Sequence, residues 1–129
     1  MKIIDANILL RYLLNDEEQS FIKSSQIIDN NDVILTNEII AEVVYVLEKV
    51  YLVPKHEIRT VLKTIVEMRN IIIDDKLLIS HALNFYDKHN LDFVDSILLA
   101  YNKVRKYQVI TYDKKLKRLL SVKTQNGKR

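Results

Sequence analysis

Four carboxylates stand at positions where they could work together. Asp5 ends the apolar run Lys2-Ile3-Ile4, and Asp113 ends Val109-Ile110-Thr111-Tyr112. Both runs read as short buried strands, so each acid stands at or just beyond a strand's carboxyl end. Glu42 lies three residues after Ile39 and four before Val46, in a segment with helical periodicity. That spacing puts it on the side of the stripe formed by Ile39, Val43, Val46, Leu47 and Val50. Asp95 precedes Leu98 and Leu99 by three and four residues, on or beside an apolar face. An inward carboxylate is expensive unless it is paired or binds a metal. If the four converge, like charges ~4 Å apart repel by ~4 kcal/mol at an effective dielectric near 20. Such a cluster must hold protons or take a divalent cation. An all-oxygen set suits Mg²⁺ or Mn²⁺ rather than Zn²⁺, and the chemistry that follows is water attack on a phosphodiester.

Each acid also has a structural reading. Asp5 and Asp113 could cap the helices that follow them. Glu42 could reach solvent or Lys49. Asp92-x-x-Asp95 resembles a capping box, with Asp92 as cap and Asp95 in the first turn, where the helix dipole favours an anion. Asp95 can keep that role and still point into a crevice. His56, His81 and His89 read as surface histidines, and the tyrosines read as packing rather than base-stacking residues.

The elements that must position these residues alternate. Strands are predicted over Lys2–Ile4, Asp32–Leu35, Ile71–Ile73 and Val109–Thr111. Helices are predicted over Ile8–Leu14, Glu17–Asp29, Asn37–Tyr51 with Thr36 as cap, Glu57–Asn70, Lys76–His89, Phe93–Lys106 and Lys114–Leu120. This order implies an α/β fold with a mostly parallel sheet covered on both faces, whose ligands bind outside the carboxyl ends of the strands.

Composition narrows the class. The chain has 129 residues and no cysteine, which excludes disulfides and thiolate metal sites and fits a cytoplasmic location. Its only glycine is Gly127, so no glycine-rich phosphate loop or dinucleotide fingerprint exists. No secretory signal is read at the start, and no run approaches the ~20 apolar residues of a membrane span. The net charge of +3 is concentrated late, in Lys114-Lys115-Leu116-Lys117-Arg118 and from Lys123 to Arg129. Residues 1–121 read as one domain and residues 122–129 as a basic, flexible tail.

Four segments resemble the motifs of PIN-domain proteins, in family order. They are Asp5-Ala6-Asn7-Ile8-Leu9-Leu10-Arg11-Tyr12-Leu13-Leu14, Thr36-Asn37-Glu38-Ile39-Ile40-Ala41-Glu42-Val43-Val44-Tyr45-Val46-Leu47, Asp92-Phe93-Val94-Asp95-Ser96-Ile97-Leu98-Leu99-Ala100 and Val109-Ile110-Thr111-Tyr112-Asp113. The likeness is closest to the VapC-like toxins of toxin–antitoxin pairs. It implies a Rossmann-like, three-layer fold with four or five short strands, and a Mg²⁺- or Mn²⁺-dependent endoribonuclease. It also implies an antitoxin partner and a homodimer. By position it makes Asp5, Glu42, Asp95 and Asp113 the acidic site and metal ligands, with Asn7, Thr111 and Asp92 in support. Arg11, Lys114 and Lys115 become candidates for RNA contact because they lie near acidic motifs. Ala6 departs from the threonine of many relatives. An RNA-processing nuclease without a toxin role is the alternative within the family. A Mg²⁺-binding receiver-like module, with Asp74 or Asp75 as phosphoacceptor, is the alternative outside it.

Overall fold

Scarcity of glycine shapes how this chain turns. Helices commonly end on a left-handed residue, usually glycine. Here Asn15, Leu52, Asn90 and Lys106 take positive φ instead. The computed structural model describes residues 1–122; the expected basic tail therefore lies, but for its first residue, outside the described residues. The chain divides into two compact units, Met1–Lys76 and Leu77–Arg129.

The first unit runs β1 (Lys2–Ile3), α1 (Ala6–Leu14), α2 (Glu18–Asp29), β2 (Val33–Ile34), α3 (Asn37–Lys49), α4 (Lys55–Val66) and β3 (Ile71–Ile72). The strands form one parallel sheet in the order β1-β2-β3, with Lys2 opposite Val33 and Val33 opposite Ile71. Its ladder extends past the strand ends: Lys2 N–H donates to Asp32 C=O at 2.9 Å, and Leu35 N–H to Ile72 C=O at 3.0 Å. Val33 and Ile71 are fully buried, as a parallel sheet requires. α1 packs on α2 and α3, and α3 packs on α4. Leu9, Ile28, Ile40, Val43, Ile58 and Leu62 are the buried faces of these helices.

Helix α4 begins and ends earlier than the expected Glu57–Asn70. Pro54 presets its entry, with φ −63°. Its end is fixed by turns, in which Met68 N–H donates to Ile65 C=O and Ile71 N–H to Met68 C=O. Asn70 then leaves the helix to donate its side-chain amide to Ile28 C=O at 2.5 Å and Asn31 C=O at 3.0 Å. That bridge aligns β3 with β2, and it outweighs the few tenths of a kcal/mol by which propensity would extend the helix.

The second unit holds most of α5 (Lys76–His89), together with α6 (Phe93–Arg105) and α7 (Lys114–Ser121). α6 packs on α7, and Leu91, Leu99 and Leu116 form a buried cluster, with Phe85, Leu98, Leu119 and Leu120 against it. Tyr86 meets Phe93 edge-to-face, centroids 6.0 Å apart. α6 ends on a left-handed residue, with lysine in the usual glycine place. Lys106 N–H donates to Asn102 C=O and Tyr107 N–H to Tyr101 C=O, while the two tyrosine rings stack at 5.8 Å.

The sheet is smaller than expected: three strands among the described residues, not four or five. Val109–Thr111 is not a strand. Its β-branched composition expresses fit to a pleated surface rather than a backbone preference, and no ladder partner engages it. The segment hangs between the α6 cap and Asp113, with Ile110 84% exposed.

Leu52 is 78% exposed and follows α3 at φ 56°, where a Cβ costs about 1–2 kcal/mol. Leu52→Gly is therefore expected to raise unfolding stability by up to about 1 kcal/mol in urea titrations, against the usual sign for a glycine substitution. Leu9→Ala, at a fully buried site, is expected to lower it by roughly 2–5 kcal/mol. A destabilised Leu52→Gly variant would contradict this account of the turn.

Candidate active site

The carboxyl edge of the sheet is built by register. Extending the β1–β2 pairing by two residues puts Asp5 beside Thr36, and extending β2–β3 likewise puts Asp74 beside Thr36. Each then meets the start of a helix or a turn. Asp5 caps α1: its Oδ1 accepts the Ile8 N–H at 3.1 Å. Thr36 caps α3, with Oγ1 accepting the Ile39 N–H at 3.3 Å. Asp5 and Asn7 are both exposed at this junction. Asp74 shares the edge and is exposed, but sequence reasoning placed it as a phosphoacceptor in the receiver-like alternative. Strand register is the signal that places it here.

Glu42 corrects an expectation. It was expected on the inward stripe of α3, and it is exposed. The buried face is Ile40, Val43, Val44 and Leu47, while Val50 is 63% exposed. The helix carries adjacent apolar pairs at Ile39-Ile40 and Val43-Val44, so two stripes about 100° apart satisfy the same period. Packing on α1 and α4 selects the stripe that excludes Glu42. Arg11, a candidate for RNA contact, pairs with Asp16 at 3.3 Å.

The second unit gathers three acids. Asp92 caps α6, its Oδ1 accepting the Asp95 N–H at 3.0 Å. Asp113 caps α7, its Oδ1 accepting the Leu116 N–H at 2.7 Å. Thr111 Oγ1 accepts the Asp113 N–H at 3.0 Å, fixing the backbone that presents that carboxylate. Asp95, half-buried in the first turn of α6, has its carboxyl pushed above the usual aspartate value. Burial is the main cause, followed by the charges of Asp92 and Asp113 and a hydrogen bond with the Asp92 side chain. Asp92 and Asp113 thus both lie within electrostatic reach of Asp95.

Ser96, which sequence reasoning passed over, is fully buried, and its hydroxyl donates to Asp92 C=O at 2.9 Å. A small polar residue in register with Phe93, Leu99 and Ala100 was the available signal. Lys115 donates to Asn90 C=O at 3.1 Å, and Lys114 is exposed in the first turn of α7. Among the described residues, no group of three or more His, Cys, Asp or Glu side chains is arranged to hold a metal ion.

Because the folded chain favours protonated Asp95, its contribution to stability is present below the unfolded pKa of 3.8 and is lost as pH rises through the higher folded value. Carbonyl-carbon NMR should show Asp95 titrating above 3.8, and Asp113→Asn should move that midpoint down. A midpoint unmoved by Asp113→Asn would show that the two acids do not interact.

No curated protein and no solved structure matches the chain. The family model described as PIN domain matches residues 2–120, which spans both units. PIN domains have a Rossmann-like α/β fold, are generally nucleases, and typically use divalent metal ions. With nearly its whole length matched, the chain belongs to the PIN domain family.

Proposed function

We propose that this protein is a Mg²⁺- or Mn²⁺-dependent endoribonuclease and the toxin of a toxin–antitoxin pair. The observation that supports the reading is the Asp95 carboxyl, pushed above the usual aspartate value by burial first and then by the charges of Asp92 and Asp113. A divalent cation relieves that repulsion. The donors present are carboxylate oxygens in a chain without cysteine, the set a hard cation prefers. When bound, such an ion supplies positive charge against the scissile phosphate and makes water a better nucleophile.

The residue roles are carried over from the motif positions, and local geometry supports them. Asp5 and Asp95 are proposed as direct ligands, with Glu42 and Asp113 binding directly or through water. Asp5 and Asp113 each spend one oxygen on a helix N–H, which fixes the rotamer and leaves the second oxygen for a ligand. Exposure of Glu42 on α3 leaves its carboxylate able to reach a ligand without a burial cost. Thr111 steadies Asp113, and Ser96 steadies the backbone of Asp92. Asn7, in the first turn of α1, is proposed to orient water or carboxylate. Arg11, Lys114 and Lys115 are proposed to hold the RNA backbone as point charges or, for Arg11, as a fork. No helix of the described residues is long and apolar enough to cross a membrane. A cytoplasmic homodimer restrained by an antitoxin completes the proposal.

Purified protein is expected to cleave single-stranded RNA with Mg²⁺ or Mn²⁺ and to stop when EDTA is added. Asp5→Asn keeps a good helix cap, so its expected loss of about a hundredfold or more in rate reads the ligand role rather than folding. Cleavage that survives both treatments would sink the metal mechanism. Growth arrest on expression, abolished by Asp5→Asn, is the expected sign of a toxin; normal growth with active enzyme would favour RNA processing instead.

A further inference from the structure

The outer side of α5 carries a ladder of rings that the acidic site does not use. His81, Phe85 and His89 stand at four-residue intervals on one face of the helix. The His81 and Phe85 centroids are 6.3 Å apart, and those of Phe85 and His89 5.9 Å, all tilted. Each ring is half-buried, so each keeps part of its surface open. Phe85 rests on the cluster of Leu91, Leu99 and Leu116, which holds the middle rung rigid. The His81 ring is fixed by a 2.9 Å contact of Nδ1 with Leu77 C=O.

Lysines surround the last rung. Lys115 reaches the end of α5 to donate to Asn90 C=O at 3.1 Å, and an ammonium has two further donors to offer. Lys88 is the exposed neighbour of His89 in the last turn. Lys103 is committed to the Leu120 and Val122 carbonyls at the end of α7, and adds charge rather than a free donor. The His89 ring responds to this setting: burial, then Lys88, Lys115 and Lys103, hold it below the usual histidine pKa, so it stays a neutral stacking surface at neutral pH.

We propose that this face of α5 is a binding platform for single-stranded RNA, with a base stacked at His89 and the ring ladder and the flanking phosphates held by Lys88 and Lys115. The pairing of flat rings with positive charge is the chemistry that recognises a single strand without reading its sequence. A duplex hides its base faces and gains nothing from the rings. The proposal rests on the ribonuclease reading, and it deepens that reading by naming the rings and lysines that grip the strand beyond the acids themselves.

The test is fluorescence anisotropy with a labelled single strand of about 12 nucleotides, in EDTA so that binding is read without cleavage. Lys88→Ala with His89→Ala is expected to raise Kd about tenfold, while His89→Phe, which keeps a stacking surface, restores most of the affinity lost in His89→Ala. Lys88→Ala alone should lower the slope of log K against log salt by about 0.7. Circular dichroism confirms that each variant is folded. The platform is overturned if the folded double variant binds as wild type does, if His89→Phe binds as weakly as His89→Ala, or if polyglutamate competes as well as RNA, which would point to an acidic protein partner. Wild type that cleaves RNA while the double variant binds unchanged sinks the platform alone. Wild type that binds through these residues but cleaves nothing with either metal supports the platform and sinks the nuclease reading.

Discussion

The fold and the chemistry of this chain share one interaction: a carboxylate oxygen accepting the N–H of a helix's first turn. Asp5, Asp92 and Asp113 all do this, at the starts of α1, α6 and α7. The sequence leaves capping and site readings open as alternatives for these acids, yet they are compatible. A carboxylate has two oxygens, and a cap uses one. Capping is worth about 1 kcal/mol and fixes the side chain in one rotamer. In the metal role proposed above, the fold would already have met that ordering cost. In the parallel sheet of the first unit the chain leaves β1 and β2 to begin α1 and α3, so the Asp5 and Thr36 caps stand at the carboxyl edge of that sheet.

Helix exits follow a second constraint, the near absence of glycine. Asn15 and Asn90 accept the left-handed conformation through their short polar side chains, whereas Lys106 and Leu52 do so against a steric cost. At Lys106 the cost is offset by two backbone hydrogen bonds and the Tyr101–Tyr107 stack. At Asn90 the turn exposes a carbonyl that Lys115 takes up, joining the end of α5 to the start of α7. This link is why a lysine two residues from Asp113 stands near the rings of α5.

Local signals in the sequence carried much of this. The caps at Asp5, Thr36, Asp92 and Asp113 and the bounds of α5 follow from residue type and spacing, because their causes lie within one helical turn. Glu42 did not follow. Its orientation depends on which of two overlapping apolar stripes α1 and α4 cover, and that is decided by packing partners distant in sequence. Val109–Thr111 failed for a related reason, since strand formation needs a partner edge that composition cannot supply. The electrostatics of Asp95 were half legible: Asp92 is three residues away, but Asp113 joins it only through the packing of α6 on α7.

Asp95 stands under opposing influences. The N-terminal dipole of α6 favours an anion by about 0.3–1 kcal/mol. Taken alone, it would lower the proton affinity of Asp95. Burial, and then the charges of Asp92 and Asp113, push the carboxyl the other way, above the usual aspartate value. A side chain placed where the helix favours charge, yet driven toward neutrality by its neighbours, is in conflict with its surroundings. A helix optimised for stability alone would resolve the conflict with an uncharged residue. The cation proposed above would turn both neighbouring charges from a cost into a source of affinity.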